Sequence, residues 1–283
     1  MKATVTQSSI EQTLLARLLA DAPFQPATNF WRSIEIAAIR PSDLPTGRGL
    51  DLGCGDGRLA RLVFDNLEAR TLIGLDPDPL ETRLAIAEGL YEKVHTALGN
   101  AIPEAHGSFD FVFSNSVLEH IPEITPVLAE VGRVLRPGGR FLFTVPSDRF
   151  HGCLSGSWLP WVSRLKYLSM IDSRCAHIRY WSPDEWQNAL APAGLQIIDA
   201  RRYLSPRATR RWEDLSRVTA GLLYALTAGR RRPIDMQRKL GLRGRRLPLN
   251  FAAMLARLLS LRPSSVDQQA GSCLLIIAER SHA

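Results

Sequence analysis

Residues 50–58 of this chain, Leu-Asp-Leu-Gly-Cys-Gly-Asp-Gly-Arg, constrain its fold more than any other segment. An apolar run typical of a strand ends near the acidic Asp51, three glycines follow at alternate positions, and a helix-compatible run begins at Arg58. A strand that turns directly into a helix needs positive φ angles, which glycine adopts without strain. A ligand can touch the backbone only where no Cβ intervenes. The segment therefore predicts a nucleotide-like ligand at the carboxyl edge of a parallel sheet.

The spacing of Gly53, Gly55 and Gly57 distinguishes two classes of ligand. A dinucleotide fingerprint, G-x-G-x-x-G, would place a glycine at position 58, where this chain has Arg58. The carboxylate of Asp51 would repel a pyrophosphate, whereas it would attract a ligand that carries an ammonium group. The loop therefore disfavours an NAD(P)-dependent oxidoreductase and favours a cationic ligand without phosphate.

Four further segments follow the glycine loop and alternate between apolar strands and helix-compatible runs. In chain order they are 71–76, which ends at Asp76; 97–101, which ends a third strand and includes Asn100; 109–120, which includes Ser114 and His120; and 128–145, which contains a Pro-Gly-Gly turn. A carboxylate at a strand end, as at Asp76, can accept hydrogen bonds from both hydroxyls of a ribose. The alternation predicts an α/β fold with a doubly wound, parallel sheet.

These five motifs, in this order and with this spacing, resemble those of the class I S-adenosylmethionine-dependent methyltransferases. The resemblance covers residues 45–150 closely and residues 177–204 loosely. It implies a Rossmann-like sheet of seven strands, mostly parallel with an antiparallel last strand, and S-adenosyl-L-methionine as the cofactor. Relatives usually hold the adenine amino group with an Asp where this chain has Asn100. The amide oxygen of Asn100 can still accept a hydrogen bond from that amino group. The cofactor-binding residues that the resemblance implies are Asp51, Gly53, Cys54, Gly55, Gly57, Asp76, Pro77, Asn100, Ala101 and Ser114.

The resemblance also implies the kind of catalysis. The methyl group of the cofactor is already activated, so the protein mainly positions a nucleophile in line and excludes water. A hydroxyl acceptor would need a general base, and His120 is the first candidate, followed by His151 and His177. A structural role at a helix start is the alternative for His120. No metal site is predicted, because Cys175 and His177 have no matching second pair of ligands.

The segment after the fifth strand is rich in aromatic residues and predicts a lid over the acceptor. We expect Phe150, Trp158, Trp161, Tyr180 and Trp181 to wall the acceptor pocket, with packing of the lid against the sheet as the alternative. Such a lid favours a small hydrophobic or lipid-linked acceptor over a protein. A cofactor-binding scaffold without catalysis stays open as an alternative, because the motifs define the cofactor site better than the acceptor site.

Positive charge is concentrated in one segment. Residues 201–262 contain 16 Arg or Lys and 3 Asp or Glu, a net charge of +13, whereas the whole chain carries +7 and the remainder therefore −6. Three interpretations compete: a helical cap with a solvated basic face, contact of residues 205–262 with an anionic membrane surface, or binding of nucleic acid. Nucleic acid ranks last, because Ser114 to Val117 is not the Asn-Pro-Pro-aromatic tetrad of base methylation and no Pro-Cys nucleophile occurs.

Length and composition fit one elaborated domain, since 283 residues that are 45% hydrophobic can bury a full core. The four cysteines are scattered, and the amino terminus lacks a secretory pattern. We therefore expect a cytoplasmic protein, with peripheral membrane contact as an option. The predicted organisation is a helical cap over 1–45, a methyltransferase core over 46–204 with a lid at 150–181, a basic helical insertion over 205–271 and the final core strand over 272–283.

Overall fold

The computed structural model describes residues 7–64, 70–221, 224, 236, 241–242, 245–260 and 270–282. Within the basic segment 201–262, the runs of Arg and Lys at 230–232 and 238–239 lie outside these residues. The chain divides into two compact units. The sheet unit comprises Ile39–Asp148, Ile178–Arg202 and Cys273–Ala283, and the helical unit comprises Met1–Ala38, Arg149–His177 and Tyr203–Ser272.

Seven strands form a single sheet in the order β3-β2-β1-β4-β5-β7-β6. They are β1 (Gly47–Leu52), β2 (Arg70–Asp76), β3 (Lys93–Thr96), β4 (Phe109–Asn115), β5 (Leu135–Pro146), β6 (Leu195–Tyr203) and β7 (Cys273–Arg280). Strand β1 pairs in parallel with β2 on one side and β4 on the other, and β7 runs antiparallel to β5. The predicted seven-stranded, doubly wound α/β fold is thereby confirmed. Its strand order reverses between β1 and β4, where ligands of such sheets bind.

The helices within the described residues are, in chain order, α1 (Gln7–Asp21), α2 (Pro26–Ala38), α3 (Arg58–Phe64), α4 (Pro79–Glu88), α5 (Ile124–Val134), α6 (Phe150–Cys153), α7 (Arg164–Cys175), α8 (Pro183–Leu190), α9 (Pro206–Ser216) and α10 (Leu249–Leu259). Local sequence explains their starts. At α8, for example, the Ser182 hydroxyl accepts from the Glu185 N–H while the Glu185 carboxylate accepts from the Ser182 N–H, a complete capping box. Within the described part of the chain, every helix is too short or too polar to cross a bilayer.

The core of the sheet unit forms because its central strands are apolar on both faces, as parallel sheets covered by helices require. Phe111, Val112 and Phe113 of β4 are at most 1% exposed. Helix α5 completes one layer by burying Leu128 and Val131 on the face that meets the sheet. The carboxyl ends of β1, β2 and β4 are thus held rigidly, and they position the residues discussed below.

Two strands differ from their predicted extent. Strand β3 ends at Thr96, so residues 97–101 form a turn after the strand rather than its end. Strand β5 begins at Leu135, and its pairing with β4 shifts register so that residues 136–139 bulge out, with Gly138 at φ 72°. The predicted Pro-Gly-Gly turn corresponds to this bulge. Both differences arise because pairing with a neighbouring strand, rather than local propensity, decides where a strand begins and ends.

The helical unit packs α1 against α2 and α10, and α2 against α9. Its interior contains an aromatic cluster in which the Trp31 ring centroid lies 5.4 Å from that of Phe150 and 5.2 Å from that of Trp212. Glu213 is a fully buried carboxylate that accepts from the Tyr167 hydroxyl at 2.7 Å. Burial, followed by the hydrogen bond to this carboxylate, raises the pKa of Tyr167 to about 12.

Candidate functional site

The glycine loop is tied to the end of β2 by its backbone. The N–H groups of Gly53 and Cys54 both donate to the carbonyl oxygen of Leu75, at 2.8 and 3.0 Å. The N–H of Gly57 donates to the carbonyl oxygen of Cys54 at 3.0 Å and closes the turn into α3. The loop is therefore a fixed structure, with its conformation set by neighbouring backbone groups.

The three glycines are needed for different reasons, although all have positive φ angles of 77°, 53° and 79°. A Cβ on Gly53 would collide with the side chain of Val117, and one on Gly57 would lie 2.9 Å from the Tyr91 ring. A Cβ on Gly55 would meet no described atom within 4 Å. Two of the glycines are therefore required by packing, whereas the space beside Gly55 is open to a ligand.

Asp76 stands at the carboxyl end of β2, next to this open space. Its Oδ2 accepts from the Gly55 N–H at 3.0 Å, and its Oδ1 accepts from the Asp78 N–H at 2.9 Å. Partial burial raises the pKa of this carboxyl, and the two backbone hydrogen bonds oppose that rise. A carboxylate oxygen has more than one acceptor site, so both oxygens keep capacity for the two hydroxyls of a ribose.

Asp51, on β1, is 4% exposed and receives a hydrogen bond of 2.6 Å from the hydroxyl of Tyr91. Burial raises the pKa of Asp51 to about 7, the Tyr91 hydrogen bond opposes this rise, and nearby Asp76 adds to it. A cation at this position would favour the ionised form. Sequence reasoning missed Tyr91, because a lone aromatic residue before β3 carries no motif and reaches Asp51 only through the fold.

Two predicted cofactor residues have buried side chains. Burial, together with the charges of Asp51 and Asp76, raises the pKa of the Cys54 thiol, which therefore stays neutral. Ser114 is fully buried, and its hydroxyl donates to the carbonyl oxygen of Leu52 at 2.9 Å. This hydrogen bond joins the ends of β4 and β1. Direct contact of either side chain with the cofactor stays a prediction.

Three other predicted cofactor residues are exposed. Pro77 directly follows β2, and Asn100 and Ala101 lie on the turn after β3, which the Ala101 N–H closes by donating to the carbonyl oxygen of Leu98 at 3.1 Å. Parallel pairing of β1, β2 and β3 brings these residues to the same edge of the sheet as the glycine loop. Their contact with adenine stays a prediction.

The structure adds Asn115, the last residue of β4, to the candidate site. Both polar atoms of its side-chain amide are buried and have no hydrogen-bond partner among the described residues. The next residue, Ser116, has φ 50°, which is rare outside glycine. Unpaired buried amides and strained backbone are both costly, and they concentrate where a ligand binds. No sequence signal separates this Asn from an ordinary strand-end residue.

His120 closes a short 3₁₀ turn, Leu118–His120, after β4. Its side chain is 38% exposed, and its Nε2 lies 3.9 Å from Oε1 of the buried Glu119. The ring is thus accessible, as a general base must be. His151, the second candidate, lies in the helical unit, where its Nε2 is 2.8 Å from Oδ1 of Asp172. The catalytic assignment of His120 stays a prediction.

The predicted aromatic wall is wrong in part. Trp158 and Trp161 are 65% and 77% exposed, so they do not enclose a pocket. Phe150 is fully buried in the aromatic cluster of the helical unit. Trp181 packs edge-on against Trp186 in the sheet unit. Aromatic composition alone could not distinguish a pocket wall from core packing or from an exposed surface.

The described geometry fits a cationic nucleoside. Asp76 ends β2 and Asp51 is the penultimate residue of the neighbouring strand β1, and burial raises the pKa values of both. The open side of Gly55 lies beside Asp76. The amide of Asn115 offers one acceptor and two donors at the end of β4, on the other side of β1. A ligand with an ammonium group, a carboxylate and a ribose could use all of these groups.

Known proteins share this sequence pattern. The family described as "Methyltransferase domain" matches residues 16–200. Dimethylglycine N-methyltransferase of Parasynechococcus marenigrum is 38% identical over 127 residues, 42% of this chain and 45% of that protein. The chloroplastic tocopherol O-methyltransferase of Arabidopsis thaliana is 28% identical over 158 residues, 53% of this chain and 44% of that protein. The chain thus spans about half the length of these relatives.

Solved structures share the fold. A crystal structure of an S-adenosylmethionine-dependent methyltransferase from Thermotoga maritima aligns with 98% of this chain and 100% of its own, with a TM-score of 0.55 and 16% sequence identity. The family match covers more than half of the chain and sets aside the NAD(P)-dependent oxidoreductase. The predicted cofactor, S-adenosyl-L-methionine, is likewise confirmed at the level of the family. The chain belongs to the class I S-adenosylmethionine-dependent methyltransferases.

Proposed function

We propose that this protein transfers a methyl group from S-adenosylmethionine to a small, apolar acceptor. The observation that carries the proposal is the open side of Gly55 beside the carboxylate of Asp76, with the buried carboxylate of Asp51 on the adjacent strand. A glycine whose Cβ would meet nothing leaves backbone accessible to a ligand. The two carboxylates supply acceptors for the ribose hydroxyls and for the ammonium group.

When bound, the cofactor supplies a methyl group that its sulfonium has already activated. Asp76 would hold the ribose, and Asp51 would face the ammonium group while Tyr91 keeps its carboxylate in place. The side-chain amide of Asn115 would form hydrogen bonds with the bound molecules and so orient them. The main contribution of these residues is positioning, which can account for several kcal/mol of a reaction barrier. His120 would accept the proton if the acceptor is a hydroxyl.

An apolar acceptor is favoured by one of the relatives and by the surface of this chain. The tocopherol O-methyltransferase is named for an apolar phenol, whereas the dimethylglycine N-methyltransferase is named for a polar amine. The segment 157–170 and helix α10 expose large apolar side chains on the helical unit. An apolar acceptor concentrates in membranes, and exposed apolar side chains can bring the protein to a membrane.

We further propose that residues 205–262 contact an anionic membrane surface and that the protein is cytoplasmic. Within this segment, α10 buries Ala252 and Ala256 and exposes Phe251, Met254 and Leu258 on another face. A helix that is apolar beyond its packed face, with Arg257 in its last turn, is typical of interfacial binding. A reducing compartment agrees with the four free thiols of the chain.

Parallel calorimetric titrations with S-adenosylmethionine, S-adenosylhomocysteine and NAD test the cofactor assignment. We expect the two adenosyl compounds to bind and NAD to give no heat. Asp76→Ala should weaken adenosyl binding by about 1.5–3 kcal/mol, the loss of a hydrogen bond to a charged group. Asp184→Asn, on the first turn of α8, is the matched control and should bind normally. Binding of NAD alone would reject the proposed cofactor.

A methyl-transfer assay with radiolabelled cofactor tests the acceptor class. Apolar phenols and prenylated phenols should be methylated, whereas dimethylglycine and short dicarboxylic acids should not. Methylation of the polar compounds alone would overturn the apolar acceptor and keep the methyltransferase. Cofactor binding without turnover of any acceptor, in wild-type protein that is shown to be folded, would instead favour the non-catalytic scaffold.

A further inference from the structure

Exposed apolar side chains are concentrated on the helical unit in a short stretch of chain. Within eight residues, Trp158, Leu159, Trp161 and Leu165 are 65%, 49%, 77% and 82% exposed. We call these four residues the tryptophan surface. Isolated exposed apolar residues are ordinary, whereas several large ones within so short a stretch of chain indicate an interaction site. The sequence predicts that the two tryptophans wall a pocket, so this surface emerges only from the structure.

We propose that the tryptophan surface inserts into the interface of an anionic lipid bilayer. The proposal rests on the proposed function for its choice of partner, since an apolar acceptor is reached from a membrane. It extends that function because the tryptophan surface lies outside the basic insertion, residues 205–262. Vesicle binding needs neither cofactor nor acceptor, so the two proposals can fail separately.

Charge favours an anionic partner. From Arg149 to Ile171 the chain has three Arg or Lys and no Asp or Glu, whereas Asp148 and Asp172 border this stretch, so the charged residues nearest in sequence to the tryptophan surface are cations. Basic residues beside a membrane surface strengthen binding when the lipids are anionic. By contrast, the exposed Leu80 and Ile86 lie on α4, which has one basic residue, Arg83, against two acidic ones, Glu81 and Glu88. The apolar residues of α4 therefore lack the excess of positive charge that an anionic surface attracts.

Side-chain chemistry favours a lipid interface over a dry protein contact. Tryptophan combines a large apolar ring with one N–H donor, and it is enriched at the boundary between acyl chains and headgroups. Lys166 follows Leu165, and its long side chain can bring its charge to the headgroups while the apolar residues enter the bilayer. The Arg164 guanidinium instead donates to the carbonyl oxygens of His151 and Leu154, at 2.6 and 3.3 Å. Helix α10 of the same unit shows the same composition, since residues 245–260 have three Arg and no acidic residue.

The loop that carries the tryptophans is anchored at its base. The N–H groups of Ser155 and Gly156 donate to the buried carboxylate of Glu213 at 2.7 and 3.2 Å. The Arg217 guanidinium pairs with Glu213 at 2.8 Å and lies 4.7 Å from the centre of the Trp158 ring. A buried charge network thus fixes the position from which the surface projects. Pre-ordered side chains lose less conformational entropy when they bind.

Vesicle sedimentation tests the proposal on the full chain. We expect binding to vesicles of phosphatidylcholine mixed with phosphatidylglycerol, weaker binding to phosphatidylcholine alone, and a decrease as salt rises. The double variant W161S/L165S removes the two most exposed members of the surface and should lower the partition coefficient by at least about tenfold. The matched control L80S/I86S removes exposed apolar area from α4 and should bind as wild type does.

Bromine-labelled lipids give a second readout. Wild-type tryptophan fluorescence should be quenched by vesicles that contain brominated phosphatidylcholine, and Trp161→Phe should bind but lose part of the quenching. Equal binding of wild type and W161S/L165S, or no binding of wild type to anionic vesicles, would overturn the proposal. A shift from dimer to monomer in the double variant, seen by sedimentation velocity, would assign the surface to a second copy instead.

Calorimetric titration of W161S/L165S with S-adenosylmethionine separates this proposal from the proposed function. We expect unchanged cofactor affinity, because the two substituted side chains are exposed and are not among the residues expected to hold the cofactor. Failure of vesicle binding with intact methyl transfer to a detergent-dispersed phenol would reject only the membrane contact. Normal vesicle binding without cofactor binding would reject only the methyltransferase activity.

Discussion

The hydroxyl of Tyr91 donates a hydrogen bond of 2.6 Å to Oδ2 of Asp51, a carboxyl whose pKa burial raises to about 7. This group is therefore partly protonated near neutral pH, and it has to ionise to attract a cation. The folded protein holds this proton more tightly than the unfolded chain does. Its stability without ligand consequently falls as the pH rises from about 4 to about 7.

Cofactor affinity should depend on pH through Asp51. If the ionised carboxylate binds the ammonium group, affinity rises about tenfold per pH unit below pH 7 and levels off above it. Tyr91→Phe removes a hydrogen bond to the charged form, which is worth about 1.5–3 kcal/mol, and should raise the pKa of Asp51 by roughly one to two units. Titrations across this pH range should show the rising part of the curve displaced to higher pH.

Asp51→Asn is the control for this titration, because an amide cannot ionise. Its cofactor affinity should be low and independent of pH in the range where the wild-type affinity changes. A wild-type affinity that stays constant between about pH 5 and pH 8 would show that the ionisation of Asp51 is not linked to binding.

Gly55→Ala should separate ligand contact from backbone strain. The added Cβ meets no described atom but has to adopt φ 53°, at a cost of roughly 1–2 kcal/mol in unfolding free energy. Gly89→Ala is matched, because Gly89 has φ 70° and equally open surroundings at the end of α4. Both variants should lose similar stability in denaturant titrations, but only Gly55→Ala should lose cofactor affinity. Equal affinity in the two variants would place the ligand elsewhere.

Asn115→Leu should increase the stability of the protein and remove its activity. The wild-type amide is buried without a partner among the described residues, and replacing such a group by an apolar one removes a penalty of about 1–3 kcal/mol. We therefore expect a higher Tm together with loss of methyl-transfer activity. A lower Tm with full activity would mean that the amide serves the fold rather than the ligand.

His120→Gln should lower kcat by roughly 10²- to 10⁴-fold for a phenol acceptor, because a general base contributes about that much. Cofactor affinity should stay unchanged, since the ring is not among the residues expected to hold the cofactor. His106→Gln, a histidine that contacts Arg280 at 3.2 Å, serves as the matched control. Full activity of His120→Gln would show that His120 is not the general base and has a structural role instead.

The sequence by itself determined the fold class, the glycine loop and the strand-end carboxylate Asp76. These features follow from short-range rules: apolar runs bounded by turns, positive φ at glycine and the alternation of strands with helices. The motif order was also sufficient to identify the family. Each of these predictions concerns residues that are neighbours in the chain or that lie at the ends of consecutive elements.

Only the tertiary structure decided which distant side chains act on those residues. Tyr91 lies 40 positions from Asp51, and the two meet because β2, between them in sequence, pairs beside β1. The unpaired amide of Asn115 and the exposure of Trp158 and Trp161 likewise depend on what packs around them. Burial, and the pKa shifts and interaction surfaces that come from it, is a property of the assembled fold rather than of any local stretch of sequence.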